Sequence, residues 1–144
     1  MNFESEFKAA LTAARERVTS PRLVVFRTLT RNGPISVSKL ISLAKRDNID
    51  KVTVYRTIGL LRRLELIQEV GLGRNRLLEL SDAYHSHHHH FTCANCGKIT
   101  DFDSAIIESD LKEIGERLGF TVHNHQVEMT GTCKKCAQKI VETA

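Results

Sequence analysis

No apolar run among the 144 residues approaches the ~20 consecutive residues that span a bilayer as a helix, which excludes a helical membrane protein. The opening stretch, Met1 to Lys8, is acidic in part and lacks the cationic start and apolar core of a secretory signal. A cytoplasmic location is expected, where cysteines stay reduced. Residues 1–84 contain no histidine. There is no internal repeat, no glycine-rich phosphate loop and no H-E-x-x-H helix. A zinc hydrolase assembled from other His and carboxylate residues would have no evident place for its general base. The chain is therefore not expected to be an enzyme.

What is present divides the chain in two. Residues 1–80 carry 15 Lys and Arg against 8 Asp and Glu, a balance of +7, while residues 81–144 carry 6 against 9, a balance of −3. Eleven of those 15 cations are arginines, whose planar guanidinium suits phosphate and guanine. A solvated charged face would explain scattered charges equally well, so placement along the elements has to decide. Halves of this size bury little core and usually need a metal, a disulfide or a partner subunit.

The first half reads as helix, helix, turn, helix, hairpin. Phe3 to Val18 has apolar residues at helical spacing. A second helix is capped at Ser20, with Pro21 in its first turn, and ends at Gly33-Pro34. Ser36 caps a third, in which Val37, Leu40, Ile41 and Ala44 form one stripe. The fourth runs from the cap Asp50 to Leu64. Its inward side is Val54, Ile58, Leu61 and Leu64. Opposite lie Val52, Arg56, Gly59 and Arg63, with Tyr55 and Arg62 on the flank: a cationic and aromatic face suited to an anionic partner. Strands at Leu66–Val70 and Arg76–Leu80 flank a glycine-rich turn carrying Arg74. This is winged-helix order, and the domain is placed at residues 1–80.

Residues 81–86 are polar enough for a hinge, and residues 87–144 form a second, Cys/His-rich domain. The expected order there is strand (His87–Thr92), Cys turn, strand (Lys98–Phe102), helix (Ser104–Leu118), strand (Thr121–Met129), second Cys turn. The fold class is thus α+β: an N-terminal winged-helix DNA-binding domain followed by a small α/β domain that carries all four cysteines.

All four cysteines fall in two C-x-x-C pairs, Cys93/Cys96 and Cys133/Cys136. A lone pair would suit redox chemistry, but two matched pairs in a reduced compartment suit one tetrahedral zinc, a closed site that holds structure and does no chemistry. The seven histidines are His85, the run His87 to His90, and His123 and His125. The run is internal, unlike an expression tag. On a strand, alternation sends His88 and His90 to one face and His87 and His89 to the other, so one segment can serve two metal sites. Glu79, Asp101, Glu108 and His125 are further ligands of the right type. Mixed imidazole and carboxylate ligation suits iron(II), manganese, zinc or nickel. A solvated polar strand or an adventitious metal binder is the bland alternative, and for His85, His123 and Asp103 it is preferred.

These residues resemble those of the ferric uptake regulator family of bacterial repressors over nearly the whole chain. The matching stretches are Val18-Thr19-Ser20-Pro21-Arg22, Thr53-Val54-Tyr55-Arg56-Thr57, His87 to Asp101 with its core His90-Phe91-Thr92-Cys93-Ala94-Asn95-Cys96-Gly97-Lys98, and Gly131-Thr132-Cys133. The resemblance implies a homodimer formed through the C-terminal domains that binds double-stranded palindromic operator DNA when loaded with metal. It makes Cys93, Cys96, Cys133 and Cys136 structural zinc ligands. It assigns Glu79, His88, His90 and Asp101 to a sensing site, and His87, His89, Glu108 and His125 to a second metal site. Tyr55 corresponds to a base contact, Arg56 to a phosphate contact, and Arg17 to a cation placed in the minor groove.

Two departures stand out. Many relatives supply a sensing histidine just before the third helix, where this chain has Pro34. The loop from Glu79 to His87 is also long, so Asp82 or His85 could replace an expected ligand. The expected function is a metal-dependent repressor of metal-uptake genes with iron(II) as co-repressor. Zinc or manganese at the regulatory site, a zinc-uptake regulator and a peroxide sensor of the same family are the alternatives.

Overall fold

The computed structural model describes residues 3–71, 76–84 and 86–142. The chain forms two compact units, Met1–Ser86 and His87–Ala144. The first contains α1 (Phe3–Ala13), α2 (Ser20–Asn32), α3 (Val37–Ala44), α4 (Lys51–Arg63) and the antiparallel strands β1 (Ile67–Val70) and β2 (Leu77–Leu80).

The helix starts follow the local chemistry. Ser36 accepts a hydrogen bond from the Lys39 amide and Asp50 accepts one from the Thr53 amide, each satisfying an otherwise orphaned N–H. For α2 the cap position is Thr19, one residue earlier than expected, with no side-chain bond. The first helix is shorter than its periodicity suggests. It stops at Ala13 because Arg15 turns into the left-handed region at φ 57°, and the Glu16 amide donates back to the Leu11 carbonyl. Glu16 and Arg17 consequently lie in the connection to α2, outside any helix.

The core of this unit joins all four helices to the hairpin. Phe7 stacks on Phe26 at 4.2 Å, and Tyr84 meets Phe26 edge-on at 5.2 Å. Leu40, Val54, Leu61 and Leu78 are fully enclosed around them. Tyr84, inside the stretch expected as a hinge, is buried. Residues Asp82–Tyr84 form a short 3-10 turn whose Tyr84 packs in the first unit's core. The wing tip, including Arg74, and His85 lie outside the described residues.

The second unit contains β3 (His89–Cys93), β4 (Ile99–Phe102), α5 (Ala105–Arg117), β5 (Glu128–Gly131) and α6 (Lys134–Glu142). Its sheet has the order β4-β3-β5, antiparallel on one side and parallel on the other. Ser104 caps α5 through the Ile107 amide. The strand expected over Thr121–Met129 is confined to its C-terminal end, and residues 121–127 are irregular. The second Cys turn runs on into a helix, because the Cys136 and Ala137 amides both donate to the Cys133 carbonyl. This unit leaves large apolar side chains in the open: Ile106 is 73% exposed, Leu118 65% and Phe120 71%.

Candidate metal centres and DNA-binding face

In α4 the residues expected inside, Val54, Ile58 and Leu61, are buried. On the outside, Val52 is exposed and Tyr55 is half-exposed at 50%, with the ammonium of Lys51 5.7 Å above its ring. Arg56 is exposed and makes no ion pair among the described residues. Arg63, by contrast, donates to Glu16 at 2.8 Å. Arg17 is exposed beside this pair, and its carbonyl accepts from the guanidinium of Arg22.

The four cysteine sulfurs lie within 4.8 Å of one another, with Cys96 and Cys133 at 3.8 Å. A tetrahedral ion with bonds of ~2.3 Å separates its sulfurs by about 3.8 Å, so the set fits zinc. Cys93 closes β3, and the Ala94 amide donates to the Gly131 carbonyl, which ties the two C-x-x-C segments together. The Cys133 amide donates to Cys93 Sγ at 3.3 Å, and such amide donors hold the Cys93 thiol down at about 6. Cys136 is pushed up to about 12, because its S–H is engaged by the sulfurs of Cys133 and Cys96. Four thiolates this close need a cation to share.

The histidine run divides by parity. His87, His89, Glu108 and His125 converge on one side of β3. His89 Nε2 lies 2.8 Å from Glu108 Oε1, His125 Nε2 3.2 Å and His87 Nε2 3.4 Å from the same oxygen, while the Nε2 atoms of His87 and His125 are 3.0 Å apart. Donor atoms around one first-row metal ion sit roughly 3 Å apart, so this group too has the spacing of a ligand shell. His89 is 1% exposed, buried beside the Phe102 ring. Burial pushes the Glu108 carboxyl up. Hydrogen bonds with His89 and His125 outweigh that effect, and its pKa is lowered.

On the other parity, the rings of His88 and His90 lie 4.7 Å apart. Asp101 sits opposite His90 in the β3–β4 register, its carboxylate 3.8 Å from His90 Nε2, and remains exposed. Glu79 is on β2 of the first unit, buried, and accepts from the Gln68 amide nitrogen at 2.7 Å. Two acidic residues escape a reading by local periodicity. Glu16 and Glu69 each hold two arginines across 6 to 47 residues of sequence, and nothing in the spacing announces them.

A winged-helix DNA-binding unit joined to a small unit with a four-thiolate cluster and a histidine–carboxylate cluster defines a metal-dependent transcriptional repressor. The profile of the ferric uptake regulator family matches residues 13–130, and the chain belongs to that family. It is 34% identical over 136 residues to the ferric uptake regulation protein of Campylobacter jejuni, covering 90% of this chain and 85% of that protein. It is 29% identical over 140 residues to the peroxide operon regulator of Bacillus subtilis, covering 93% and 95%. Among solved structures, the Helicobacter pylori ferric uptake regulator, which has three functional metal binding sites, superimposes with a TM-score of 0.77 at 25% identity, covering 92% of this chain and 90% of that one. Members of the family are transcriptional regulators, not enzymes. No helix among the described residues is long and apolar enough to cross a membrane.

Proposed function

We propose that the protein is a cytoplasmic homodimer that represses metal-uptake genes, with iron(II) as its co-repressor. The observation that carries this reading is the convergence of His87, His89, Glu108 and His125 beside a separate four-sulfur cluster, two donor sets of different chemistry in one small unit. The thiolates of Cys93, Cys96, Cys133 and Cys136 are assigned to structural zinc. The imidazole and carboxylate donors suit a harder divalent ion such as iron(II).

Dimerisation is supported by the apolar side chains that α5 and the following segment leave exposed. A unit of this size with so little interior of its own requires further burial to be stable. Tyr55, Arg56, Arg17 and Arg63 are assigned to DNA. Glu79 from the first unit is proposed to share a sensing ion with His88, His90 and Asp101. When bound, that ion supplies electrostatic attraction that draws its donors together. The four side chains would then restrict how the two units orient, favouring the arrangement in which paired recognition helices enter successive major grooves.

The test is a titration of operator binding against iron(II), zinc and manganese, each separately buffered. Activation by iron(II) at its physiological free concentration is expected. Activation by zinc alone would make the protein a zinc-uptake regulator, and operator binding indifferent to every metal would overturn the reading. A second reading, peroxide sensing, is favoured by the similarity to the Bacillus subtilis peroxide operon regulator. It predicts an added oxygen on His88 or His90 after exposure to iron(II) and hydrogen peroxide, detectable by mass spectrometry.

A further inference from the structure

Four arginines around the C-terminal end of α4 are already engaged by carboxylates. Glu16 is bidentate in effect: its Oε2 accepts from Arg22 Nη2 at 3.0 Å and its Oε1 from Arg63 Nη2 at 2.8 Å. Arg22 extends further to the carbonyl of Arg17. Glu69, on β1, accepts from Arg62 of α4 through one oxygen and from Arg76, at the start of the second hairpin strand, through the other at 3.1 Å. Each carboxylate is therefore shared by two guanidinium groups from different elements. Arg62, Arg63 and Arg76 are more than half exposed, and Arg22 is the most covered of the four.

The distribution along α4 is uneven. Tyr55 and Arg56 stand open, while Arg62 and Arg63, two turns later, are neutralised. Exposed ion pairs contribute little to stability, so folding alone gives these pairs little purpose. Their charge effect is larger. Sequence-independent DNA affinity grows with the number of phosphates neutralised by cations, and an arginine that must first leave a carboxylate contributes less to that sum.

We propose that Glu16 and Glu69 are specificity-determining residues, which hold Arg22, Arg63, Arg62 and Arg76 back from indiscriminate phosphate contact. On random duplex DNA the carboxylates compete with the phosphates. On the operator, base contacts from the open part of α4 fix the register and allow the arginines to be transferred or shared. The pairs thus lower affinity for random DNA more than affinity for the operator, which widens the ratio between them. This inference rests on the DNA-binding assignment above.

The test uses the full-length, metal-loaded protein, a palindromic operator selected from a randomised pool and a scrambled duplex of the same length. Glu16→Gln and Glu69→Gln are each expected to raise affinity for the scrambled duplex severalfold and to steepen its salt dependence by up to about one unit of slope per arginine released. Operator affinity should rise less, so the ratio narrows. Glu65→Gln is the control for net charge, since Glu65 is exposed and makes no ion pair among the described residues; it should produce the smaller change. In a Glu16→Gln background, Arg63→Ala should abolish most of the gain, which links the effect to that pair. Unchanged or weakened scrambled-duplex binding in both carboxylate variants, with their unfolding midpoints preserved, would overturn the proposal, as would an equal gain from Glu65→Gln. If one variant fails to fold, the other carries the decision, because the two pairs share no residue. Failure of the unaltered protein to bind either duplex would instead remove the DNA-binding reading itself.

Discussion

The Nε2 atoms of His87 and His125 face each other at 3.0 Å, although 38 residues separate them in the chain. Two imidazole nitrogens at that distance share either a proton or an ion. With Glu108 Oε1 within 3.4 Å of both and His89 closing the group, an ion satisfies all four at once. Replacing His87 or His89 by Ala is expected to reduce metal bound outside the thiolate cluster and to weaken the dimer. His88→Ala or His90→Ala is expected to abolish metal-activated DNA binding while leaving in place the ion of the His87, His89, Glu108 and His125 group and the thiolate zinc. Elemental analysis, dimer dissociation and metal titrations of DNA binding on the four variants check this, and equal losses from all four would sink the division by parity.

Gly115 packs under the segment that leads to His125. It is the buried residue of α5, and a methyl group there would overlap Cγ2 of Val122. The Phe120 amide donates to the Gly115 carbonyl at 2.8 Å, so the chain turns back tightly over this glycine before reaching His125. Gly115→Ala should push the 120–127 segment outward and carry His125 away from Glu108. The expected outcome is weaker binding of the non-thiolate metal with the four-cysteine zinc retained. Equal affinity in a competition against a chelator would show that the segment relaxes without moving the histidine.

The zinc assignment has a direct check. Purified protein should hold about one zinc per chain in the four-sulfur site, and Cys96→Ser should lose it along with the dimer, since structural zinc binding is folding free energy. Zinc content unaffected by the change would remove the assignment.

Much of this was legible because the decisive signals are local. Ser36 and Asp50 cap their helices as expected, and the parity of four adjacent histidines needs only a locally extended backbone. What was illegible depends on partners distant in sequence. Thr121 to Met129 is expected as a strand, yet only Glu128–Gly131 pairs with β3, and Val122 lies against Gly115 of α5. The helix after Cys133 was hidden by the cysteine motif, which reads equally well as a turn. Ile107, Leu111, Ile114 and Leu118 form the expected apolar stripe of α5, but within one chain Ile114 and Leu118 stay exposed.

A pH dependence follows from the opposite end of the chain. Glu4 receives Arg27 through both oxygens at 2.7 and 3.0 Å and Lys8 at 2.7 Å. Arg27 first, then Lys8, pulls its carboxyl from 4.5 down to about 2. A carboxyl depressed on folding stabilises the native state above its unfolded pKa, and that stabilisation fades as pH falls through the folded value. Glu4→Gln should therefore lower the urea midpoint at pH 7, and its difference from the unaltered protein should close between about pH 4.5 and pH 2. A difference constant over that window would mean the network contributes through packing rather than charge.

The recognition helix offers the sharpest separation of roles, because its two open residues are adjacent. Arg56 is exposed and makes no ion pair among the described residues, so replacing it by Ala should weaken binding to operator and scrambled DNA alike and reduce the slope of log affinity against log salt by about one unit. Tyr55 beside it is half-exposed. Tyr55→Phe keeps the ring and removes one hydrogen-bonding group, leaving the phosphate count and hence the salt slope unchanged. Its effect should appear in which bases are preferred, read by selection from a randomised operator. Exchange of these outcomes, with the slope following Tyr55 and the base preference following Arg56, would rotate the helix in the groove by about 100° and reassign both residues.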